Sequence, residues 1–298
     1  DEIYSVAAEN RFSLSPSLEL TAGVGLFGRK RREAQAYEDP EGGKDLRIVD
    51  KPLTSDIELN YQASVRYSPV ASQSVKFSFA RTSRFATLSE RYSWKFGKSW
   101  PNPGLKSERA FNLDLTYTGQ AAGFTWTVSG FYSFISDVIQ DVTGVDPEDP
   151  TVWQPRNAGR AQFRGVEVAV AKTFFGKLSL SASYSYIDRV NKSNPEVRFI
   201  DVPHSKVVAA ADWDIWRGFG LEADMVAASS AFSLSDGSGR VPGYAVVNAM
   251  VRKSFLDRRL TIRAGVKNMF DRLYYFTEGY PREGRVFYAS VIFDVRVP

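Results

Sequence analysis

Apolar and polar residues alternate one for one along most of this chain, and a period of two confines it to strands with two unlike faces. Ile57, Leu59, Tyr61, Ala63, Val65 and Tyr67 alternate with Glu58, Asn60, Gln62, Ser64, Arg66 and Ser68. Leu178, Leu180, Ala182, Tyr184 and Tyr186 face one way while Ser179, Ser181, Ser183 and Ser185 face the other. The same pattern returns around Phe111 to Tyr117, Leu260 to Val266 and Phe287 to Phe293. No convincing helical period runs for ten or more residues, so the chain reads as all-β. Thirteen or so strands are expected, centred near residues 9, 23, 61, 79, 113, 130, 167, 183, 209, 227, 250, 265 and 291.

The connections alternate in length. Short ones fall at Ser15-Pro16-Ser17, Pro69 to Gln73, Gly119 to Gly123, Phe175-Gly176-Lys177, Arg217 to Gly220 and Asp257-Arg258-Arg259. Long ones lie between them, near 33 to 53, 89 to 106, 143 to 157, 190 to 202, 235 to 243 and 277 to 284. In an up-and-down antiparallel meander this sends tight turns to one rim and long polar loops to the other, the layout of an outer-membrane β-barrel. Segments of about ten residues match what a tilted strand needs to cross a bilayer. A soluble sandwich or propeller would use shorter strands and need not alternate its loops.

The faces point the same way. Glu58, Arg66, Asp114, Glu167, Asp212, Glu222 and Arg263 place whole charges on the polar side, which suits a hydrated lumen. Aromatic residues make up 14% of the chain, and Tyr67, Tyr184, Tyr186, Trp213, Trp216, Phe255, Tyr274, Tyr275 and Phe276 gather near strand ends, as in interfacial girdles. No apolar run is long enough for a membrane helix. The chain opens on Asp1-Glu2-Ile3-Tyr4 without a basic-then-apolar leader, so any signal peptide is expected to be removed or upstream. Zero Cys excludes disulfides, thiolate metal sites and cysteine nucleophiles.

Six motifs resemble, in order, those of TonB-dependent receptors. Asn102-Pro103-Gly104-Leu105-Lys106-Ser107-Glu108 is similar to the family's Asn-Pro-x-Leu-Lys-x-Glu lead into a late barrel strand. Asn157-Ala158-Gly159-Arg160-Ala161 followed by Arg164-Gly165-Val166-Glu167 resembles its Asn-x-Gly…Arg-Gly-Val-Glu strand, and Pro203-His204-Ser205-Lys206 the step that follows. Gly243-Tyr244 with Val246-Val247-Asn248, then Asn268-Met269-Phe270-Asp271 with Tyr274, and Gly284-Arg285 resemble the closing hairpins. Each motif also has a physical reading. Pro103 denies the ladder a donor, so a strand starts only after it. Gly165 lets the wall bend or a neighbour approach. Glu167 is expected to point inward and pair with a lumen cation such as a neighbouring Arg. Asn268 to Asp271 breaks the alternation, as a bulge or rim turn does. Scaffolding is the expected role of all of them.

The resemblance implies a barrel of about 22 strands with a plug in its lumen, residing in the bacterial outer membrane among lipids and lipopolysaccharide. It implies active uptake of a scarce ligand such as an iron-siderophore, driven by the TonB complex. Neither plug nor TonB box is recognisable, so residues 1 to 298 read as the C-terminal portion of such a barrel. An odd strand count predicts an incomplete or non-natively closed sheet with unpaired edges. The family usually ends on an aromatic residue, whereas this chain ends Asp294-Val295-Arg296-Val297-Pro298. A passive porin-like barrel without TonB coupling is the alternative reading, and an adhesin or assembly component a third.

Two basic loops are candidates for specificity. Arg29, Arg31 and Arg32 crown the second strand, and Arg91, Tyr92, Trp94, Lys95 and Trp100 interleave cations with rings. Such a surface captures an anionic aromatic ligand by steering, stacking and cation–π contact; lipopolysaccharide phosphates at the rim and solvated loop charge are the competing readings. Nucleic acid is disfavoured, because 38 Lys+Arg against 34 Asp+Glu are spread over both faces without a recognition fold. No cofactor, resident metal or enzymatic chemistry is expected. His204 is the one imidazole, the inward serines lack a base, and Asp141, Asp146, Glu148 and Asp149 lack a calcium-site spacing.

Overall fold

A computed structural model describes residues 1–38, 47–256 and 259–294. In chain order its strands are β1 (Glu2–Ser15), β2 (Leu18–Lys30), β3 (Gln35–Glu38), β4 (Arg47–Asp50), β5 (Ser55–Val70), β6 (Gln73–Arg84), β7 (Glu108–Ala121), β8 (Phe124–Ser136), β9 (Ile139–Thr143) and β10 (Trp153–Asn157). Then come β11 (Arg160–Phe174), β12 (Leu178–Asn191), β13 (Ser205–Trp216), β14 (Phe219–Ala228), β15 (Ala231–Phe232), β16 (Arg240–Val241), β17 (Tyr244–Phe255), β18 (Leu260–Lys267) and β19 (Val286–Phe293). A single short helix, α1 (Leu88–Tyr92), and a 3₁₀ turn at Lys95–Gly97 interrupt this among the described residues.

Thirteen strands pair antiparallel in sequence order, β1-β2-β5-β6-β7-β8-β11-β12-β13-β14-β17-β18-β19. Each contains one expected centre. The other strands form three two-stranded hairpins within the long connections. Among the described residues β1 and β19 do not pair with each other, so the wall is an open meander with two free edges. The barrel is not closed.

The rims differ as the loop lengths require. At Ala122-Gly123 and Arg217-Gly218 both residues of a two-residue turn have positive φ, the handedness that matches strand twist in tight hairpins. Gly218 is needed twice over, because a Cβ there would lie 2.5 Å from the carbonyl oxygen of Ser254. The expected turn at Asp257-Arg258 and residues 39–46 of the first long loop lie outside the described residues, as do 295–298 at the end.

Alternation gives the wall two faces. On one, Ile57 is 62% exposed and Leu115 54%, in company with Leu113, Val128, Val168 and Leu180. An exposed apolar surface of this kind is the pattern of a membrane-barrel wall's outward face. On the other, Arg252 lies across Gly220 and reaches Asp212 (2.7 Å), Asp214 (2.6 Å) and Glu222 (2.7 Å). Glu58, only 5% exposed, takes Arg81 at 3.1 Å and Arg109 at 2.9 Å. Glu167 differs from expectation. It is exposed, its cross-strand neighbours are Ser129 and Ser185, and it makes no ion pair among the described residues. Arg164, the nearest sequence candidate, sits in the opposite register and pairs instead with Asp188 at 2.8 Å.

Candidate ligand-binding rim

The long connections at 85–107, 137–159, 192–204, 229–243 and 268–285, with the described parts of 31–54, form a layer on one rim, held together by side-chain bonds as well as by short two-stranded ladders and backbone bonds between loops. α1 begins at Thr87, whose hydroxyl accepts from the amide of Glu90 (3.1 Å) while the Glu90 carboxylate accepts from the amide of Thr87 (2.7 Å). That reciprocal cap fixes a helix of one turn. Burial pushes the Glu90 carboxyl up, but the bonds from Thr87 and Arg84 outweigh it and hold it below its ordinary value.

The cap aims Arg91 inward. Its guanidinium is 1% exposed and donates to both oxygens of Asp56 (3.0 Å each), to Thr54 Oγ1 (2.7 Å) and to the carbonyl of Pro103 (3.1 Å). Burial lowers its pKa, with Asp56 opposing. Arg31, 2% exposed, shares Asp56 at 3.3 Å and lies over the ring of Tyr92 at 5.9 Å. Tyr92 is buried and donates to the carbonyl of Pro52 (3.1 Å). Arg29 donates to Asp1 (2.6 Å) and to the carbonyl of Ala86 (2.7 Å), and Arg32 pairs with Glu2 at 2.9 Å. Within this basic segment Arg91, Tyr92 and Arg31 are therefore fastenings between loops. Arg32, Lys95 and Trp100 remain exposed, and Trp94 is half-buried.

The second half of loop 85–107 is sewn to loop 137–159. Trp100 donates its amide to the carbonyl of Trp153 (2.9 Å), Trp153 returns one to Lys98 (3.1 Å), and Lys95 Nζ sits 4.5 Å from the Trp153 ring. Lys98 meets Asp149 at 2.6 Å. That bond, with help from Thr151, brings the Asp149 carboxyl down to about 2.

Three asparagines of the sequence motifs are struts. Asn102 donates to the carbonyl of Pro155 (2.9 Å). Asn157 accepts from the amide of Lys106 (2.9 Å) and donates to the carbonyls of Lys106 (3.1 Å) and Asp137 (2.7 Å). Asn268 accepts from the amide of Arg272 (2.8 Å) and donates to the carbonyls of Arg272 (2.8 Å) and Glu283 (3.1 Å), while Asp271 accepts from the amide of Arg285 (2.7 Å). Pro103 supplies its carbonyl to Arg91, Leu105 is 2% exposed beneath the loops, and Glu108 accepts from Ile139 (2.6 Å) and Arg84 (2.6 Å). At Gly165 a Cβ would lie 2.2 Å from the carbonyl oxygen of Tyr186; at Gly159, with φ +89, one would strike Ser193. Pro203 precedes His204, which is exposed and whose Nδ1 faces the carbonyl of Ile187 at 2.9 Å, and Phe270 is 70% exposed.

A cavity of the rim lies elsewhere, where loops 192–204 and 229–243 meet above β12. The amide of Arg198 donates to Ser235 (2.6 Å), that of Asp201 to Phe232 (2.8 Å), and Gln140 reaches over to the carbonyl of Arg198 (2.7 Å). They enclose about 430 Å³ lined by Arg189, Arg198, Phe199, His204, Phe232 and Arg240. Arg198 and Arg240 stand 5.9 and 4.9 Å from the Phe232 ring, and Arg189 5.4 Å from Phe199. None of the three arginines forms an ion pair among the described residues. The carboxylate of Asp188, also at this cavity, is taken by Arg164, and burial pushes the Asp201 carboxyl up against the pull of Arg189. The cavity thus carries three planar cations on aromatic faces, none of them in an ion pair among the described residues, a surface for a flat anion. Sequence reading missed it because its parts come from three segments, although Arg198-Phe199 shows the same cation–ring pairing that marked loop 85–107.

A two-faced open wall with a folded loop layer on one rim defines part of a large membrane β-barrel. The model of a known family, described as TonB dependent receptor-like, beta-barrel, matches residues 2–269, and the chain belongs to that family. It is 24% identical over 204 residues to a vitamin B12 transporter, BtuB, of Photobacterium profundum, covering 65% of this chain and 32% of that protein. Among solved structures, the copper transporter OprC matches with a TM-score of 0.79 at 16% identity, over 98% of this chain and 47% of that one. The ferric-catecholate import receptor Fiu of E. coli K12, in its closed form, matches with a TM-score of 0.74 at 18% identity, over 97% and 44%. The chain therefore spans about a third to a half of the length of these proteins.

Proposed function

We propose that this chain is the late barrel wall and outer loop layer of a bacterial outer-membrane receptor that imports a scarce anionic ligand, with an aromatic or otherwise planar face, by TonB-driven transport. The observation that carries the ligand class is the cavity of Arg189, Arg198 and Arg240, whose cations have ring faces and no ion-paired carboxylates among the described residues. A catecholate iron chelate has that chemistry: delocalised negative charge on flat rings. Exposed Lys95 and Trp100, half-buried Trp94 and exposed Arg32 extend the same character along the rim, and the name of one structural neighbour, a ferric-catecholate import receptor, agrees with it. Energy coupling would come through a plug and TonB box in the part of the receptor beyond this wall. The test is binding of a ferric catecholate to the full-length receptor. Wild type is expected to bind it, and Arg198→Ala with Arg240→Ala to weaken binding at least tenfold. Unchanged affinity in the double variant would remove the cavity from the reading.

A further inference from the structure

On the apolar face of the wall lies a second depression, near the short-turn rim and far from the loops. Its volume is about 550 Å³, within the ~300–1,000 Å³ span of ligand pockets. Four alanines make its floor: Ala182 on β12, Ala209 and Ala211 on β13, and Ala223 on β14. Register places them side by side, since Ala182 opposes Ala209 and Ala211 opposes Ala223. Four adjacent positions on these strands thus carry only methyl groups, between the larger side chains of Val170, Leu180 and Met225 that edge the depression, and a furrow results.

At the lower end of the furrow stands Lys172, three positions before the turn residue Phe175 and opposite Leu180. Its ammonium lies 4.0 Å from the Phe124 ring and 5.0 Å from the Phe174 ring. It has no ion pair among the described residues. Lys253, clamped likewise by Phe219 (4.0 Å) and Phe255 (5.3 Å), donates to the carbonyl of Arg217 at 2.6 Å and does not line this furrow. The two sites differ in whether the ammonium is bonded to a carbonyl and whether it lines this furrow.

We propose that this furrow holds one anionic glycerophospholipid of the leaflet on the short-turn side, its phosphate on Lys172 and an acyl chain along the alanine floor. Charge complementarity selects the occupant: an uncommitted ammonium at the rim between ring faces, where interfacial lysines hold their charge toward headgroups, joined to a trough aimed at the membrane interior. Burying methylenes here gains nothing over surrounding lipid, so preference comes from the phosphate contact and from shape. One basic residue near an anionic surface contributes an affinity factor of about five.

This rests on the membrane-barrel reading, and native mass spectrometry of the full-length receptor in detergent, titrated with phosphatidylglycerol or phosphatidylcholine, tests it. Wild type is expected to retain one phosphatidylglycerol in preference to phosphatidylcholine. Lys172→Gln should lower that first occupancy about fivefold, Ala211→Phe should lower it by filling the floor, and Lys253→Gln should leave it unchanged. Equal retention of the two lipids, wild-type occupancy in Lys172→Gln, or an equal loss in Lys253→Gln would overturn the site. Recovery of the receptor outside the membrane fraction would overturn the membrane reading together with it, whereas a membrane-inserted receptor without lipid preference would overturn the site alone.

Discussion

Replacing Arg91 by Met removes the fastening that seats loop 85–107 on the wall. The guanidinium makes four hydrogen bonds, two of them to Asp56, at 1% exposure. Breaking a buried pair costs about 3–5 kcal/mol. Two features place this case below that range. Arg31 stays 3.3 Å from Asp56, so the carboxylate keeps a cation, and Arg91 Nε is already buried without a partner, a desolvation cost that Met relieves. A net loss of about 2 kcal/mol corresponds to roughly thirtyfold more frequent opening of the loop. Hydrogen exchange reads this at the amide of Ser93, which donates to Ser89 at 3.0 Å at the end of α1. Exchange at Ser93 should accelerate about thirtyfold, while β7 and β8 keep wild-type protection. Acceleration below about threefold, or loss of protection spreading into the wall, would refute the clamp.

Other outcomes follow from the same geometry. Asn157→Ala removes two hydrogen bonds between loops 85–107 and 137–159 and one within the latter and should open Lys106 and Ile139 to exchange without changing strand content by circular dichroism. Gly165→Ala places a Cβ 2.2 Å from the Tyr186 carbonyl; the β11–β12 pair must shift, at about 1–3 kcal/mol, read as a lower melting temperature of the assembled barrel. The Asp149 carboxyl, lowered from its ordinary 3.8 to about 2 by Lys98 and Thr151, contributes stability that is present above 3.8 and lost as pH falls through about 2. NMR titration of its carboxyl carbon should place the midpoint near pH 2, and a midpoint at 3.8 or higher would deny the bridge.

The wall was legible because alternation is a local signal. Each expected centre, from 9 in β1 to 291 in β19, falls inside a strand, and the long and short connections sort to opposite rims. Residue order alone could not identify which loop cations are committed. Arg91 and Lys95 look alike in a run of cations and rings, yet Asp56, thirty-five residues earlier, buries one and leaves the other exposed. The partner sits across a strand pairing that periodicity places only approximately. The rim cavity was hidden for a similar reason: Arg189 ends a strand, Arg198 and Arg240 lie in different loops, and only the bonds from Arg198 to Ser235 and Asp201 to Phe232 bring them around one space. Glu167 failed in the reverse direction, since a parity argument gave its face but not the serines opposite it.

Energy dependence of import tests the central claim most directly. In cells whose only route for a ferric catecholate is the full-length receptor, accumulation of radioactive iron is measured with and without a protonophore. The expected result is saturable accumulation that stops when the proton gradient collapses and that falls in the Arg198→Ala, Arg240→Ala double variant. Accumulation that continues undiminished without the gradient would contradict TonB-driven uptake and leave a passive barrel in its place.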